Sequence, residues 1–93
     1  MFIVLLRFSN AESRTRELMA GHNEWIERGF EEGVFLLVGS LQPRLGGAIL
    51  VRNASRDDLE ARIREDPFVI HAVVKAEVLE VSPSRTAPQL VRA

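Results

Sequence analysis

The rhythm of hydrophobic and polar positions changes several times along the chain, and each change marks an element. Phe2-Ile-Val-Leu-Leu-Arg-Phe8 is dense in β-branched and aromatic residues and predicts a strand, which Ser9-Asn10 breaks. From about Ser13 to Glu32 the spacing turns helical. Leu18, His22, Trp25, Ile26, Gly29 and Phe30 recur at three- and four-residue steps, with Arg16, Glu17, Asn23, Glu24, Glu27 and Arg28 mostly elsewhere. Gly33 supplies a stop. Val34 to Val38 is a short continuous apolar run suited to a buried strand, and Ala48 to Val51 is the next one. Between them Gly39 to Gly47 holds Pro43 and the Gly46-Gly47 pair and reads as a turn. Ser55 followed by Asp57-Asp58 opens a second helix, a side-chain cap and then two carboxylates where the helix dipole favours negative charge. That helix runs to about Glu65. Asp66-Pro67 bounds it, since the residue before proline avoids helical geometry. A last strand covers roughly Ala72 to Val81, and Pro83 and Pro88 punctuate a tail.

The order βαββαβ predicts an α+β fold, a ferredoxin-like split βαβ with a four-stranded antiparallel sheet and both helices on one face. One domain is expected over residues 1–83, with a C-terminal tail over 84–93. The second sheet face should then be polar at alternate positions, and it is not. The first strand sets Phe2, Val4, Leu6 and Phe8 against Ile3 and Leu5; the second sets Val34, Leu36 and Val38 against Phe35 and Leu37. Two helices cover only one of each set. An apolar sheet face marks an interaction surface, and burial at roughly 25 cal/mol per Å² adds several kcal/mol to a small domain. A homodimer packed sheet to sheet is expected. The rival is a tail folded back over that face, but it offers only Leu90 and Val91 as large apolar residues.

Composition narrows the function classes. Ninety-three residues hold one domain, and the absence of cysteine excludes thiol nucleophiles, Cys-based zinc sites and Cys-ligated iron–sulfur clusters. A net charge of -1 argues against a nucleic-acid partner, as do the absence of tyrosine and of any aromatic in Ala48 to Val51. Arg7 interrupts the apolar start, and no run approaches the ~18 apolar residues that spanning a membrane needs. The expectation is a soluble cytoplasmic protein without a membrane partner.

Two histidines are the natural suspects for proton chemistry. His22 sits within the apolar stripe of the first helix, between Leu18 and Ile26, so its ring should face the sheet. The same spacing suits a buried histidine satisfied by a backbone carbonyl. Asp66 ends the second helix, and with both helices on one face the two residues can meet over the sheet. A carboxylate there orients the ring and favours its protonated form; an aspartate before proline is also an ordinary turn element. His71 has no evident partner, and two histidines without companions at fixed spacing give no metal signal. Ser40 follows Gly39 at a strand end, where its hydroxyl bonds either substrate or its own turn. Arg7 is placed to clamp a substrate carboxylate or to make a salt bridge at the strand end. Gly46-Gly47 joins two strands and is no phosphate loop.

Three segments together resemble the YciI-like (YCII-related domain) family: His22-Asn-Glu-Trp-Ile26 followed by Glu32-Gly33, then Val38-Gly39-Ser40, then Asp66-Pro67-Phe68. The resemblance runs from Phe2 to about Pro83. It implies a small dimeric α+β barrel protein whose active site pairs a histidine with an aspartate, here His22 and Asp66. Many members carry an arginine three residues before that histidine. This chain has Met19, so the arginine's anion-binding role does not carry over, with Arg7 and Arg44 left to compensate. Relatives include enzymes acting on chlorinated aromatic-ring products, and the wider superfamily includes lactone isomerases and cofactor-free oxygenases. The expected function is a cofactor-independent enzyme using general acid–base chemistry on a small cyclic or aromatic metabolite, by isomerisation, elimination or dehydrohalogenation. His22 would transfer the proton and Asp66 would fix its tautomer and raise its basicity. Ser40 would help place the substrate, and Trp25 and Phe68 would wall it. The alternative is a ligand-binding or regulatory module with the same pocket and no proton transfer.

Overall fold

A computed structural model describes residues 1–9 and 14–92. The elements are β1 (Phe2–Phe8), α1 (Thr15–Glu31), β2 (Phe35–Leu41), β3 (Gly46–Val51), α2 (Arg56–Ile63), α3 (Pro67–Ile70), β4 (Val74–Glu80) and α4 (Pro88–Arg92). The sheet runs β2-β3-β1-β4, and every neighbouring pair is antiparallel. That interleaves two βαβ units and gives the expected ferredoxin-like α+β fold. No helix among the described residues is long and apolar enough to cross a membrane.

The helices cover the face that carries Phe2, Val4 and Leu6 of β1, with Ile49 and Val51 of β3 directly opposite Val4 and Phe2. Trp25 of α1, Leu59 and Ile63 of α2 and Phe68 of α3 complete this core. Two contacts set the helix positions. The Trp25 indole Nε1 donates to the Arg62 carbonyl at the end of α2 (2.8 Å), tying the helices together. Gly29 lets α1 lie close on β2, since a Cβ there would stand 2.1 Å from the Phe35 ring. Ser55 caps α2 as expected, its hydroxyl accepting from the Asp58 amide at 3.1 Å.

Several boundaries differ from the sequence expectation. The expected start of α1 at Ser13 and the break at Asn10 lie outside the described residues. β2 continues through Gly39-Ser40-Leu41, because ladder pairing to Ala48, Gly47 and Gly46 uses backbone groups and needs no strand-forming side chain. The turn therefore shrinks to residues 42–45, and Gly46 opens β3 with φ +137° at a point where a Cβ would meet the Leu6 carbonyl oxygen. A β-bulge between Phe35 and Leu37 makes Leu36 the extra residue and inverts the alternation. Phe35, Val38 and Ser40 thus share the helix face, while Leu37 and Leu41 turn outward. The second helix ends at Ile63, and a separate turn of helix, α3, follows Asp66. The tail forms α4, where the Leu90 carbonyl accepts from Arg52 Nη1 at 2.6 Å; the side chain of Val91 is not among those described.

The open face carries Ile3, Leu5, Leu37, Leu50 and Leu79 by register, with Arg7 and Glu77 paired at 3.7 Å. Leu37 is 54% exposed and Leu79 41%, so the described part of the tail leaves these two side chains open.

Candidate active site

Helical spacing along α1 points His22 inward, and Pro67 determines what it meets. A residue before proline is held extended, and Asp66 has φ -69° and ψ 122°. Proline then begins α3, where its missing N–H costs nothing, and Asp66 becomes the N-cap. Its Oδ1 accepts from the Phe68 amide at 3.0 Å and lies 2.8 Å from His22 Nδ1. One oxygen thereby starts a helix and holds the imidazole of another helix. Asp66 is fully buried, while the His22 side chain keeps 12% of its surface exposed. Asp66 Oδ2 is buried with no hydrogen-bond partner among the described residues.

With Asp66 as a carboxylate acceptor, the Nδ1–H of the ring donates to it, and in the neutral imidazole Nε2 then carries the lone pair. The ring plane is fixed from the side by Phe68, stacked with centroids 3.9 Å apart and planes 8° apart. Trp25 stands further off at 6.0 Å. Histidine, carboxylate and aromatic ring are thus locked by a cap, a hydrogen bond and a stacking contact.

His22 and Phe68 border a cavity of about 280 Å³ between α1 and the β2–β3 hairpin. Its walls are mainly apolar, with Leu6, Phe8, Ile26, Val38, Ile49 and Val74; its polar side chains are Asn23, Ser40 and His22. Met19 also lines it.

The expected site residues therefore separate. His22, Asp66 and Phe68 come together, and Ser40 lines the same cavity. Trp25 is core, 1% exposed, and is not a wall of the cavity; its indole is committed to Arg62. Arg7 lies on the opposite sheet face with Glu77, because its place in β1 alternates with Leu6, and it does not reach the cavity. Arg44 stands in the hairpin turn outside it. His71 does have a neighbour, Arg14 Nη1 at 3.2 Å from its Nδ1. Asn23 and Gly47 were not expected in the lining. Gly47 carried a signal, since a glycine within a strand marks a bulge, a bend or a close approach.

Among the described residues no group of three or more His, Asp or Glu side chains is placed to hold a metal. One carboxyl away from the cavity has a displaced pKa. The Arg62 guanidinium, by hydrogen bond and by charge, holds Glu32 below the usual carboxylate range.

The family model described as the YCII-related domain matches residues 1–82. A solved structure, 5-chloro-2-hydroxyhydroquinone dehydrochlorinase from Burkholderia phenoliruptrix AC1100 in complex with 2,5-dihydroxybenzoquinone, is similar to this chain with a TM-score of 0.70. The similarity covers 88% of this chain and 94% of that one at 14% identity, and is a likeness of fold. Among curated proteins none matches the sequence.

Proposed function

The chain belongs to the YCII-related domain family, and from that premise we propose a cofactor-independent enzyme that moves protons on a small cyclic or aromatic metabolite. His22 is the proton-transferring group and Asp66 the residue that orients it. The observation that carries this reading is the 2.8 Å contact between His22 Nδ1 and a fully buried carboxylate, at the wall of a cavity. With its proton held on Nδ1, the ring keeps an Nε2 lone pair, as a general base requires. Taking a proton makes the ring an imidazolium beside the Asp66 carboxylate, and the imidazolium Nε2 then returns that proton to a second substrate atom.

Isomerisation, elimination and dehydrohalogenation all fit this equipment. Loss of HCl from a chlorinated hydroxyhydroquinone, the activity named for the structural neighbour, is one such case. Two hydroxyl protons leave, one of them ending on the carbon that bears chlorine, and the C–Cl electron pair departs with chloride. A hydroxyquinone forms with no external oxidant. Ser40 supplies a hydroxyl for a ring oxygen, and Phe68 keeps the imidazole from turning. We further propose that the open sheet face pairs with a second copy of the chain.

Chloride release from 5-chloro-2-hydroxyhydroquinone, and deuterium uptake by a panel of phenols and lactones in heavy water, test the catalytic reading. Acceleration by the native protein and a loss of about a hundredfold or more in His22→Gln are expected. Equal rates in the two proteins, or no acceleration of any compound, would reject it.

A further inference from the structure

Gly47 occupies an unusual place. By register the helix face of the sheet presents cross-strand rows, and in the row Ala76, Leu6, Gly47, Ser40 the β3 position has no side chain. The neighbouring row holds Val78, Val4, Ile49 and Val38, filled throughout. Nothing in the backbone demands glycine here. Gly46 has a positive φ and no room for a Cβ, whereas a Cβ on Gly47 would meet only the Gly39 carbonyl oxygen, at 3.4 Å, an ordinary contact. A glycine inside a strand weakens it and marks a bulge, a bend or the close approach of a ligand or another backbone. The register shift of this hairpin lies elsewhere, between Phe35 and Leu37. The space that Gly47 leaves is part of the cavity beside His22.

The charge of that cavity is equally specific. Among the described residues its lining contains no Lys or Arg, and His22 is the one ionisable group. An anionic group entering would lose its hydration, find no Lys or Arg among the described lining residues, and lie near the buried Asp66 side chain behind His22. Uncharged hydroxyl or carbonyl groups have Ser40, Asn23 and His22 to meet.

We infer that the site takes an uncharged, flat, single-ring compound bearing hydroxyl or carbonyl groups, and that Gly47 decides whether the ring fits. This rests on reading the cavity as a substrate site, and it names the substrate class and a specificity-determining residue for it.

The test is an NMR titration of backbone amides with two near-isosteric probes, 5-methylresorcinol and 3,5-dihydroxybenzoate, which differ by a methyl against a carboxylate. The neutral probe should shift the amides of Gly47, Ser40 and His22, with the carboxylate binding about tenfold more weakly or worse. Gly47→Ala and Gly47→Val should melt at or above the native temperature while weakening the neutral probe stepwise, the valine by about tenfold or more. Should the valine variant not fold, the alanine variant decides alone. Native-like binding by a folded Gly47 variant, equal or tighter binding of the carboxylate, or no response to either probe would overturn the inference. Binding is read without turnover. A chain that shows this preference but accelerates no reaction retires the acid–base reading and keeps this one.

Discussion

At the scale of single residues, Asp66 holds two jobs that mutation can separate. Its Oδ1 caps α3 through the Phe68 amide and also holds His22 Nδ1. Asp66→Ala removes both, and loss of a cap plus an unsatisfied imidazole nitrogen should cost about 2–4 kcal/mol in denaturant unfolding. Asp66→Asn keeps the acceptor oxygen and sets its amide nitrogen where Oδ2 made no bond to a described residue, so folding should suffer far less. It removes the negative charge that supports the imidazolium and permits the wrong tautomer. Turnover should therefore fall by about a hundredfold or more while the melting temperature stays within a few degrees of native. Native turnover in a folded Asn variant would leave Asp66 a helix cap and nothing else. The site was partly legible at this scale. Inward spacing identified His22, and a common helix face implied its meeting with a residue 44 positions away. Gly47 was not legible in the same way, because its contribution is an absent side chain at a position defined only by the pairing of three strands.

At the scale of elements, the register of β2 was hidden by one residue. Alternation assigns Phe35 and Leu37 to one face, and the bulge at Leu36 sends them to opposite ones. A bulge has no hydrophobic signature, and the four-residue α3 is too short to show a helical period. Close approach of α1 to β2 was equally silent, and it is testable. Gly29→Ala drives a methyl into the Phe35 ring, so it should destabilise the fold by about 1–3 kcal/mol although alanine is the better helix former. A variant as stable as the native chain would show that α1 shifts freely over the sheet. The Arg62–Glu32 pair joins the ends of α2 and α1 and has a pH signature. Its carboxyl lies below the ordinary 4.5 in the fold, so its stabilisation is complete above that value and disappears as pH falls through the lower folded value. Glu32→Gln should thus melt slightly below the native protein at neutral pH, and the difference should close as pH falls below the folded value. The difference should be small, because an exposed pair is screened by water and salt.

For the whole molecule, the proposed pairing of two copies rests on the open sheet face. A face with Leu37 and Leu79 exposed beside Ile3, Leu5 and Leu50 is apolar across all four strands of a 93-residue domain. A domain this size removes only about two thirds of its unfolded surface from water, so burying a further face has a large relative effect. The charged groups there lie toward one end of the face, where Arg7 pairs with Glu77 and Lys75 stands opposite Arg7. A two-fold contact is self-complementary, so one introduced charge appears twice in the interface and meets apolar surface both times. Leu37, the most exposed of these side chains and remote from His22 through the thickness of the sheet, is the place to introduce it. The native protein should sediment at twice its 10.5 kDa chain mass at micromolar concentration, and Leu37→Glu should sediment at the single-chain mass with the His22–Asp66 contact intact. If dimerisation also stiffens the sheet under the cavity, the variant will bind a ring compound more weakly with no residue of the cavity changed. A native protein that runs as a single chain at these concentrations would show that the face is left open, and the cavity must then work on the stability of one copy alone.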